Sequence, residues 1–438
     1  MLHHHSQHYA DRRHKVFERI QDKAACLLPA SAKVNRNGDS DYPFRQNSHL
    51  YYLTGWPEDK TVLLLLAKEG HRKTILFCHE SDELEARWVG KRVGLEEARK
   101  TYGADEAYFI DEIESMLPDL LLGVEKVYYP IGENAWMDTL VKKSVQVLKK
   151  WKRRGIHAPQ AHMDVNGILD ELRLVKMGDE IARMRKAASI SAKAHNRAMR
   201  HVHGGMFEYE LEAEYRYEFL RHGAHDVAYT PIVASGSNAC ILHYIQNNRK
   251  MNDGELILVD AACEYQGYAA DITRTFPVNG QFTKPQQAIY ELVLEAQLAA
   301  IAKATPVHAW NAMQETILQI MVQGLVDLKI LKGDVGELIE TGAYRPFYMH
   351  QSGHWLGLDV HDAGEYKIDD QWRTLKPGMV LTVEPGLYFP LEESSVPEAY
   401  RGIGVRIEDD ILVTDNSPDV LSAESVKSVQ DIEKIMKK

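Results

Sequence analysis

The sequence predicts two domains, an α/β domain followed by an α+β domain, and three observations lead to this prediction. The chain has 438 residues, 45% of them hydrophobic, whereas a single hydrophobic core stops growing at about 250 to 300 residues. Short apolar runs alternate with longer amphipathic runs between residues 61 and 155. From about Leu256 onward, strand pairs separated by turns predominate. We place the boundary near Leu172, which gives domains of residues 1–172 and 173–438.

The elements of the first domain follow from the spacing of its apolar residues. Four short segments have the composition of strands, and three longer ones have the period of amphipathic helices. The strand segments are TVLLLLAK, KTILFC, EAYFID and KVYYPIG, and the helix segments are residues 82–102, 111–122 and 134–154. Strands that alternate with helices in this way are typical of an α/β domain with crossover helices.

The second domain begins with a long helical pattern over residues 169–202. We expect this pattern to break at Gly178 and to end at Gly204 and Gly205, because glycine is the weakest helix former after proline. One further long helix is predicted over residues 286–304. The remaining strand pairs and loops give this domain its α+β character.

Composition and charge exclude several classes of protein. Acidic residues outnumber basic ones by 63 to 52, for a net charge of -11, which opposes binding to nucleic acid or to an anionic membrane surface. The four cysteines have no disulfide-type or metal-type spacing and are expected to be reduced thiols. The N-terminus lacks a secretory signal, and histidines 3 to 5 are interpreted as a tail. We therefore expect a cytoplasmic protein.

One predicted hairpin carries two aspartates. The segment ELILVDAACEYQGYAADITRTF has the pattern of two strands around a turn at residues 264–267. If Glu264 pairs with Gly267, Asp260 and Asp271 face each other directly across the hairpin, where like charges are destabilising. Both aspartates are flanked by apolar residues, so at least one face is expected to be buried. A buried pair of like charges requires a cation, which favours a metal site over two ordinary surface charges.

Two further acids and three histidines occur in a similar setting. Glu384 ends the apolar run MVLTVEPG, and Glu408 lies within GVRIEDDILVT. The segment MHQSGHWLGLDVHD contains His350, His354 and His361 around glycines, although each of them singly is more typical of a structural histidine. Four carboxylates and one imidazole form a hard ligand set that suits Mn²⁺, Co²⁺ or Zn²⁺ and can hold two ions. An H-E-x-x-H zinc helix, a phosphate loop and a G-x-S-x-G serine motif are all absent from the sequence.

Taken in order, the segments VDAACEYQGYAADITRTFPVNG, HQSGHWLGLDVHDAG, TVEPGLY and GVRIEDD resemble the metal-ligand segments of the aminopeptidase P family, which has the creatinase or pita-bread fold. The segment SDYPFRQNSHLYYLTGW is similar to the N-terminal domain of that family. The resemblance extends from about Arg12 to Val429. It implies an aminopeptidase P type domain in residues 1–172 and a pita-bread catalytic domain in residues 173–438.

The resemblance also implies a cofactor and a set of site residues. Two divalent metal ions per chain are expected, Mn²⁺ in the first place, with Co²⁺ or Zn²⁺ as alternatives. Asp271 and Glu408 are expected to bridge the ions. The implied ligands are Asp260, Asp271, His354, Glu384 and Glu408; the implied substrate-binding and supporting residues are His243, His350, His361 and Arg406, with Tyr229 and Tyr388 nearby.

The implied activity is release of the first residue from peptides whose second residue is proline. A hydroxide shared by two ions would be the nucleophile, with Glu384 as general base. His361 and His243 would donate hydrogen bonds to the tetrahedral intermediate or hold the proline carbonyl. Arg406 is expected to orient Glu408 and its neighbours, although it is also a candidate cationic clamp for the free carboxylate of a dipeptide.

Several alternatives remain open. A prolidase, which hydrolyses only Xaa-Pro dipeptides, would share these ligands, and a methionine aminopeptidase would need no large N-terminal domain. A metal-free creatinase-like enzyme or an inactive binding module would not need the complete ligand set. We expect Trp88 to be a half-buried anchor on a charged helix. The resemblance implies instead a homodimer or homotetramer in which such a residue reaches a neighbouring copy's active site.

Overall fold

A computed structural model describes residues 6–80 and 82–437 of the chain. Histidines 3 to 5, interpreted above as a tail, lie outside the described residues. The chain divides into two units, of which the first ends at Arg173 and the second begins at Leu174. No helix in the described ranges is long and apolar enough to span a membrane.

The first unit is built around a mixed six-stranded sheet. Its helices are α1 (Ser6–Ile20), α2 (Ser48–Thr54), α3 (Glu83–Val89), α4 (Gly94–Lys100), α5 (Ile113–Leu120), α6 (Ala135–Lys150) and α7 (Asn166–Leu174). Its strands are β1 (Ala24–Pro29), β2 (Asn35–Asn37), β3 (Ser40–Asp41), β4 (Val62–Lys68), β5 (His71–Cys78), β6 (Glu106–Phe109), β7 (Lys126–Tyr129) and β8 (Ala161–Asp164). The order in the large sheet is β6-β5-β4-β1-β7-β8. Strands β1, β4 and β5 pair antiparallel, and the outer pairings are parallel.

The structure contains all four predicted strands and a helix in each of the three predicted helical regions of this unit. Residues 82–102 form two helices instead of one, because Gly90, which follows α3, and Gly94, which begins α4, adopt positive φ angles of 84° and 74°. Strand β1 was not predicted, since it is buried along its whole length and shows no alternation of apolar and polar residues. The expectation that Trp88 is half-buried is wrong, because its side chain is 90% exposed on α3.

The second unit combines six helices with thirteen short strands in the part of the chain that the structure describes. The helices are α8 (Gly178–His201), α9 (Glu208–Arg221), α10 (Lys284–Ile301), α11 (Asn311–Asp327), α12 (Val335–Glu340) and α13 (Val429–Met436). The strands are β9 (Asp226–Val227), β10 (Ile232–Ser235), β11 (Leu256–Asp260), β12 (Cys263–Tyr265), β13 (Tyr268–Ala269), β14 (Thr273–Pro277), β15 (Lys367–Ile368), β16 (Gln371–Trp372), β17 (Val380–Val383), β18 (Gly386–Phe389), β19 (Ile403–Arg406), β20 (Asp409–Leu412) and β21 (Asp419–Val420).

Three small sheets of this unit carry the residues of interest. Strands β10, β11 and β14 form one, β17, β20 and β21 form another, and β18 pairs with β19. The long helical pattern breaks at residues 175–177 and not at Gly178, which instead begins α8. Only one later long helix was predicted, but α11 follows α10 and packs against it. The predicted α/β unit followed by an α+β unit is confirmed.

Candidate metal centre and active site

The four predicted acids come from the ends of strands in different sheets. Asp260 ends β11, Asp271 lies two residues before β14, Glu384 follows β17, and Glu408 lies between β19 and β20. These strand ends meet around one cavity of about 540 Å³. Its lining consists of Leu242, His243, Asp260, Asp271, Trp310, His350, Gln351, Gly353, His354, His361, Tyr366, Trp372, Glu384, Arg406 and Glu408. The structure thus brings together all nine predicted ligand, substrate-binding and supporting residues.

The two aspartates do not face each other directly, as the sequence predicted. The turn consists of Gln266 and Gly267, which have positive φ angles of 50° and 82°, so Tyr265 pairs with Tyr268. The register is therefore displaced by two residues, and Asp260 pairs with Thr273. Because side chains alternate between the faces of a strand, a displacement of two leaves residue 271 on the same face. Asp260 and Asp271 therefore both line the cavity, although the predicted register is wrong.

His354 is oriented for ligation through its Nε2 atom. Its Nδ1 lies 3.0 Å from the carbonyl oxygen of Trp355, so Nδ1–H can donate there. Nε2 then points at the acids, 3.3 Å from Asp271 Oδ2 and 3.6 Å from Glu384 Oε1. Possible ligand atoms of Asp271, His354 and Glu408 all lie within 4.8 Å of one another. This spacing suits a metal site.

Gly353 allows the His354 segment to approach β17 closely. The backbone N–H of Thr382 donates to the carbonyl of His354 at 2.9 Å, and the backbone N–H of His354 donates to Thr382 Oγ1 at 3.0 Å. A Cβ atom on residue 353 would overlap the carbonyl oxygen of Thr382. Glycine is therefore required where the imidazole ligand meets the strand that leads to Glu384.

Electrostatics at the cavity favour an additional positive charge. Burial raises the pKa of Glu384 to about 7 and that of Glu408 well above its ordinary value, and the neighbouring acids add to both effects. Burial also raises the pKa of Asp260. Burial disfavours the charged form of His354, but the hydrogen bond and charge of Asp271 outweigh it and raise the pKa to about 9. An oxygen-rich donor set with one imidazole in this environment fits divalent cations.

Asp260 is held by two strong hydrogen bonds. The hydroxyl of Tyr229 donates to its Oδ1 at 2.5 Å, and Arg406 Nη2 donates to its Oδ2 at 2.7 Å. Glu408 has a different partner, because Thr273 Oγ1 donates to its Oε2 at 2.6 Å. Arg406 thus contacts Asp260 directly and reaches Glu408 through Thr273, whose Oγ1 accepts from Arg406 Nε at 3.3 Å. Positioning of ligands by such partners is a general property of metal sites.

The three other histidines lie on different parts of the cavity wall. His350 Nε2 is 2.8 Å from the hydroxyl of Tyr388, and burial, assisted by the charge of Arg406, lowers the His350 pKa to about 4. The ring of His361 lies 4.1 Å from the ring of His354, and burial lowers the pKa of His361 as well. His243 is exposed on the irregular segment between β10 and β11, where it lines the cavity. A neutral imidazole has one N–H, so His361 can donate one hydrogen bond to a substrate.

Tyr388 links His350 to Arg406. Arg406 Nη1 donates to the Tyr388 hydroxyl at 3.0 Å, so the hydroxyl hydrogen is free to face His350 Nε2. His350 Nδ1 lies 2.8 Å from the carbonyl oxygen of Gln351, where its N–H can donate. Burial raises the pKa of Tyr388 to about 12, so this hydroxyl remains a donor across the physiological range.

Two groups of residues escaped prediction. Asp410 accepts the backbone N–H of Asp271 at 3.1 Å, and Arg274 donates to Asp409 at 2.7 Å and to the carbonyl of Glu408 at 2.6 Å. For Asp409 and Asp410, the signal available in the sequence was their apolar neighbours in GVRIEDDILVT. The aromatic wall of Trp310, Tyr366 and Trp372 belongs to no motif, and its members are brought together only by the fold.

Comparisons with known proteins agree with this geometry. The profile of "Metallopeptidase family M24" matches residues 182–415, and that of "Aminopeptidase P, N-terminal domain" matches residues 9–128. The chain is 46% identical over 431 residues to Xaa-Pro aminopeptidase of Escherichia coli, which covers 98% of this chain and 97% of that protein. It is 35% identical over 443 residues to human Xaa-Pro aminopeptidase 3, with 98% and 85% covered.

Solved structures give the same result. Aminopeptidase PepP of Pseudomonas aeruginosa has a TM-score of 0.97 and 45% identity, and the match covers 100% of this chain and 99% of that one. Zinc-substituted Escherichia coli aminopeptidase P, in complex with product, has a TM-score of 0.96 and 46% identity, with 98% of each chain covered.

Proposed function

The chain belongs to metallopeptidase family M24, and from this premise we propose that it removes the first amino acid from peptides whose second residue is proline. Its first unit is of the aminopeptidase P N-terminal type, and its second unit has the pita-bread fold. The observation that carries the proposal is the convergence of four acids and His354 on one cavity, with three further histidines on its wall. Such a set suits hydrolysis assisted by metal ions.

The residues present fit a pair of divalent ions. We propose Asp260, Asp271, His354, Glu384 and Glu408 as the ligands, with Asp271 and Glu408 shared between two ions, Mn²⁺ being the expected metal. When bound, these ions would lower the pKa of a water molecule and polarise the scissile carbonyl. The raised pKa values of Glu384 and Glu408 support the proposal, because buried acids in mutual repulsion favour a cation between them.

The side chains of the cavity supply the remaining chemistry. Glu384 accepts a proton from the attacking water and can pass it to the leaving proline nitrogen. His361 and His243 donate hydrogen bonds to the oxygen atoms of the tetrahedral intermediate or to the proline carbonyl. Neutral His361 serves this role, because burial lowers its pKa and leaves one N–H to donate.

Proline in the second position is a recognition element for a physical reason. Its tertiary amide has no N–H, so a site that relies on that hydrogen bond rejects it, whereas a pocket shaped for the ring accepts it. The aromatic side chains of Trp310, Tyr366 and Trp372, with Leu242, offer an apolar wall for such a ring.

Arg406 favours an aminopeptidase over a prolidase. A dipeptidase requires a cation for the free carboxylate of its substrate. Arg406 is 4% exposed, and its guanidinium already donates to Asp260, Tyr388 and Thr273. A clamp with so many partners is poorly placed to bind a further carboxylate.

The test compares a dipeptide, a tripeptide and a pentapeptide with the same Xaa-Pro start on metal-stripped enzyme, with and without added Mn²⁺, Co²⁺ or Zn²⁺. We expect metal-dependent cleavage between Xaa and Pro, with the dipeptide the poorest substrate. A peptide with alanine in place of proline is the matched control. A dipeptide that is cleaved best would identify a prolidase, and full activity without metal would refute metal-dependent hydrolysis.

We further propose that the enzyme works in the cytoplasm and as a homodimer or homotetramer. All four cysteines are unpaired, and Cys26, Cys78 and Cys263 are buried, as expected for thiols in a reducing compartment. Peptides are the expected partners, and the net charge of -11 disfavours nucleic acid and anionic membranes.

A further inference from the structure

The segment that carries His243 to the cavity has little regular structure of its own. Between β10 and β11 it contains a short 3-10 turn, Gly236–Cys240, followed by an irregular stretch up to residue 250. The His243 side chain is exposed, and within the described residues its ring makes no hydrogen bond. The position of the ring therefore depends on how the backbone on either side of it is held.

One buried carboxylate holds this segment. Glu208, the first residue of α9, is 0% exposed. Its Oε1 accepts hydrogen bonds from the backbone N–H of Ser235 at 2.8 Å, from Ser235 Oγ at 2.7 Å and from Asn238 Nδ2 at 3.1 Å. Its Oε2 accepts from the Tyr244 hydroxyl at 2.7 Å and from the backbone N–H of Arg249 at 2.9 Å. These donors lie at both ends of the segment and at two points inside it.

The bonding pattern requires a carboxylate. Both oxygens of Glu208 face only donors, and a carboxylate is the side chain that offers acceptors alone. A glutamine amide would turn its NH₂ group toward two or three of these donors, whichever way it was oriented. Arg249 adds a cross-link, because its Nη1 donates to Ser235 Oγ at 2.8 Å and to Glu255 at 2.7 Å. The segment is thus closed around the Glu208 carboxylate.

We propose that Glu208 is a positioning residue for the hydrolysis: by holding Tyr244, it fixes the neighbouring His243 against the substrate. The inference rests on the proposed function, because it assigns the contribution of Glu208 to the reaction through His243. Tyr244 transmits the effect, since its ring is 6% exposed in a cluster with Ile232, Leu258 and Tyr388. Glu208 itself does not line the cavity.

The decisive experiment is a double-mutant cycle between Glu208→Gln and His243→Ala in the metal-loaded enzyme. We expect Glu208→Gln to lower kcat/KM for an Xaa-Pro-Yaa tripeptide by about 10- to 100-fold, with unchanged metal content. When His243 is already alanine, Glu208→Gln should lower kcat/KM by less than about threefold. Glu210→Gln, an exposed acid two residues further along α9, is the matched control and should leave kcat/KM unchanged. Equal losses in both backgrounds, or no loss from Glu208→Gln, would overturn the inference.

A second measurement is independent of turnover. Amide hydrogen exchange over residues 236–249 should become faster in Glu208→Gln and in Tyr244→Phe, which removes only one of the five bonds, and should not change in Glu210→Gln. Tyr244→Phe keeps the test valid should Glu208→Gln fail to fold. If the wild type does not cleave Xaa-Pro-Yaa but exchange responds as expected, the proposed function fails and the anchoring role of Glu208 stands. Unchanged exchange in both variants would refute that role.

Discussion

At the scale of single residues, Arg406 shows how the site depends on partners of the proposed ligands. Its planar guanidinium donates to Asp260 and to Tyr388, so it joins a proposed ligand to the side chain that contacts His350. Lysine keeps the charge but cannot reproduce both bonds. We expect Arg406→Lys to lower kcat/KM about 10- to 100-fold and to weaken metal binding in parallel. Steady-state kinetics with a metal titration tests this, and wild-type behaviour of Arg406→Lys would contradict it.

A second prediction at this scale concerns Asp271, the proposed bridging ligand. Asp271→Ala removes a carboxylate that lies 3.3 Å from His354 and belongs to the closest group of possible ligands. Since the loss of a mere partner of a ligand costs about 10- to 100-fold, we expect activity to fall by more than about 100-fold and the metal content to fall with it. Asp415→Ala, at an exposed position of the same unit, is the control. Full activity of Asp271→Ala, measured together with metal analysis, would refute the ligand assignment.

At the scale of elements, the approach of the His354 segment to β17 gives a test of packing. Gly353→Ala would force the new methyl group against the carbonyl of Thr382 and displace the segment. We expect a loss of about 1 to 3 kcal/mol in the free energy of unfolding, as in other overpacked sites, together with weaker metal binding. Gly178→Ala, which meets nothing within 4 Å at the start of α8, is the matched control and should be neutral or stabilising. Urea unfolding of the two variants decides between these outcomes.

His195 gives a pH-dependent prediction at the same scale, because it joins three elements. It lies on α8, contacts Tyr215 of α9 at 3.0 Å, and contacts the carbonyl of Ala261 beyond β11 at 3.0 Å. Burial lowers its pKa from 6.5 to about 3. Between these values the unfolded chain binds one more proton, so this contribution is complete above pH 6.5 and is lost as the pH falls.

His195→Gln keeps a donor and an acceptor at this position but cannot titrate. The difference in free energy of unfolding between wild type and variant should therefore shrink on acidification, by up to about 1.4 kcal/mol per pH unit below the unfolded pKa. Urea unfolding of both proteins between about pH 7 and 5 measures it. A difference that does not change with pH would show that His195 is not a buried neutral group.

The elements also show which features the sequence could predict. The four acids could be identified because each lies in or beside an apolar run, where a charge is conspicuous, whereas His354 was distinguished from His350 and His361 only by the family resemblance. The register of the Asp260 hairpin could not be predicted, because it depends on whether Gln266 adopts a left-handed backbone conformation together with Gly267. The contact of Arg406 with Asp260 could not be predicted either, since it joins strands of different sheets. Site residues that stand out within one segment could be predicted from the sequence, whereas contacts that depend on tertiary packing could not.

At the scale of the whole molecule, the exposed apolar side chains of α3 are typical of an interaction surface. The chain carries a net charge of -11, which by itself keeps copies of the protein apart. Helix α3 nevertheless exposes three apolar side chains in one short stretch, with Leu84 66%, Trp88 90% and Val89 58% exposed. Contiguous exposed apolar residues of this kind mark interaction surfaces, and Trp is among the residues enriched in the centres of interfaces.

We therefore expect α3 to contribute to contacts between copies of this chain, with Trp88 reaching a neighbouring copy near its active site. Trp88→Asp places a charge in the apolar patch and should shift the assembly toward smaller species in light scattering, with a larger loss of kcat/KM for a pentapeptide than for a tripeptide. Trp136→Asp, in α6 of the same unit and 43% exposed, is the matched control and should leave the mass unchanged. The two substitutions are expected to differ because a charge buried in an interface loses its hydration, whereas a charge at a free surface keeps it. A single-chain mass for the wild type, or equal dissociation of the two variants, would show that α3 faces solvent in the working enzyme.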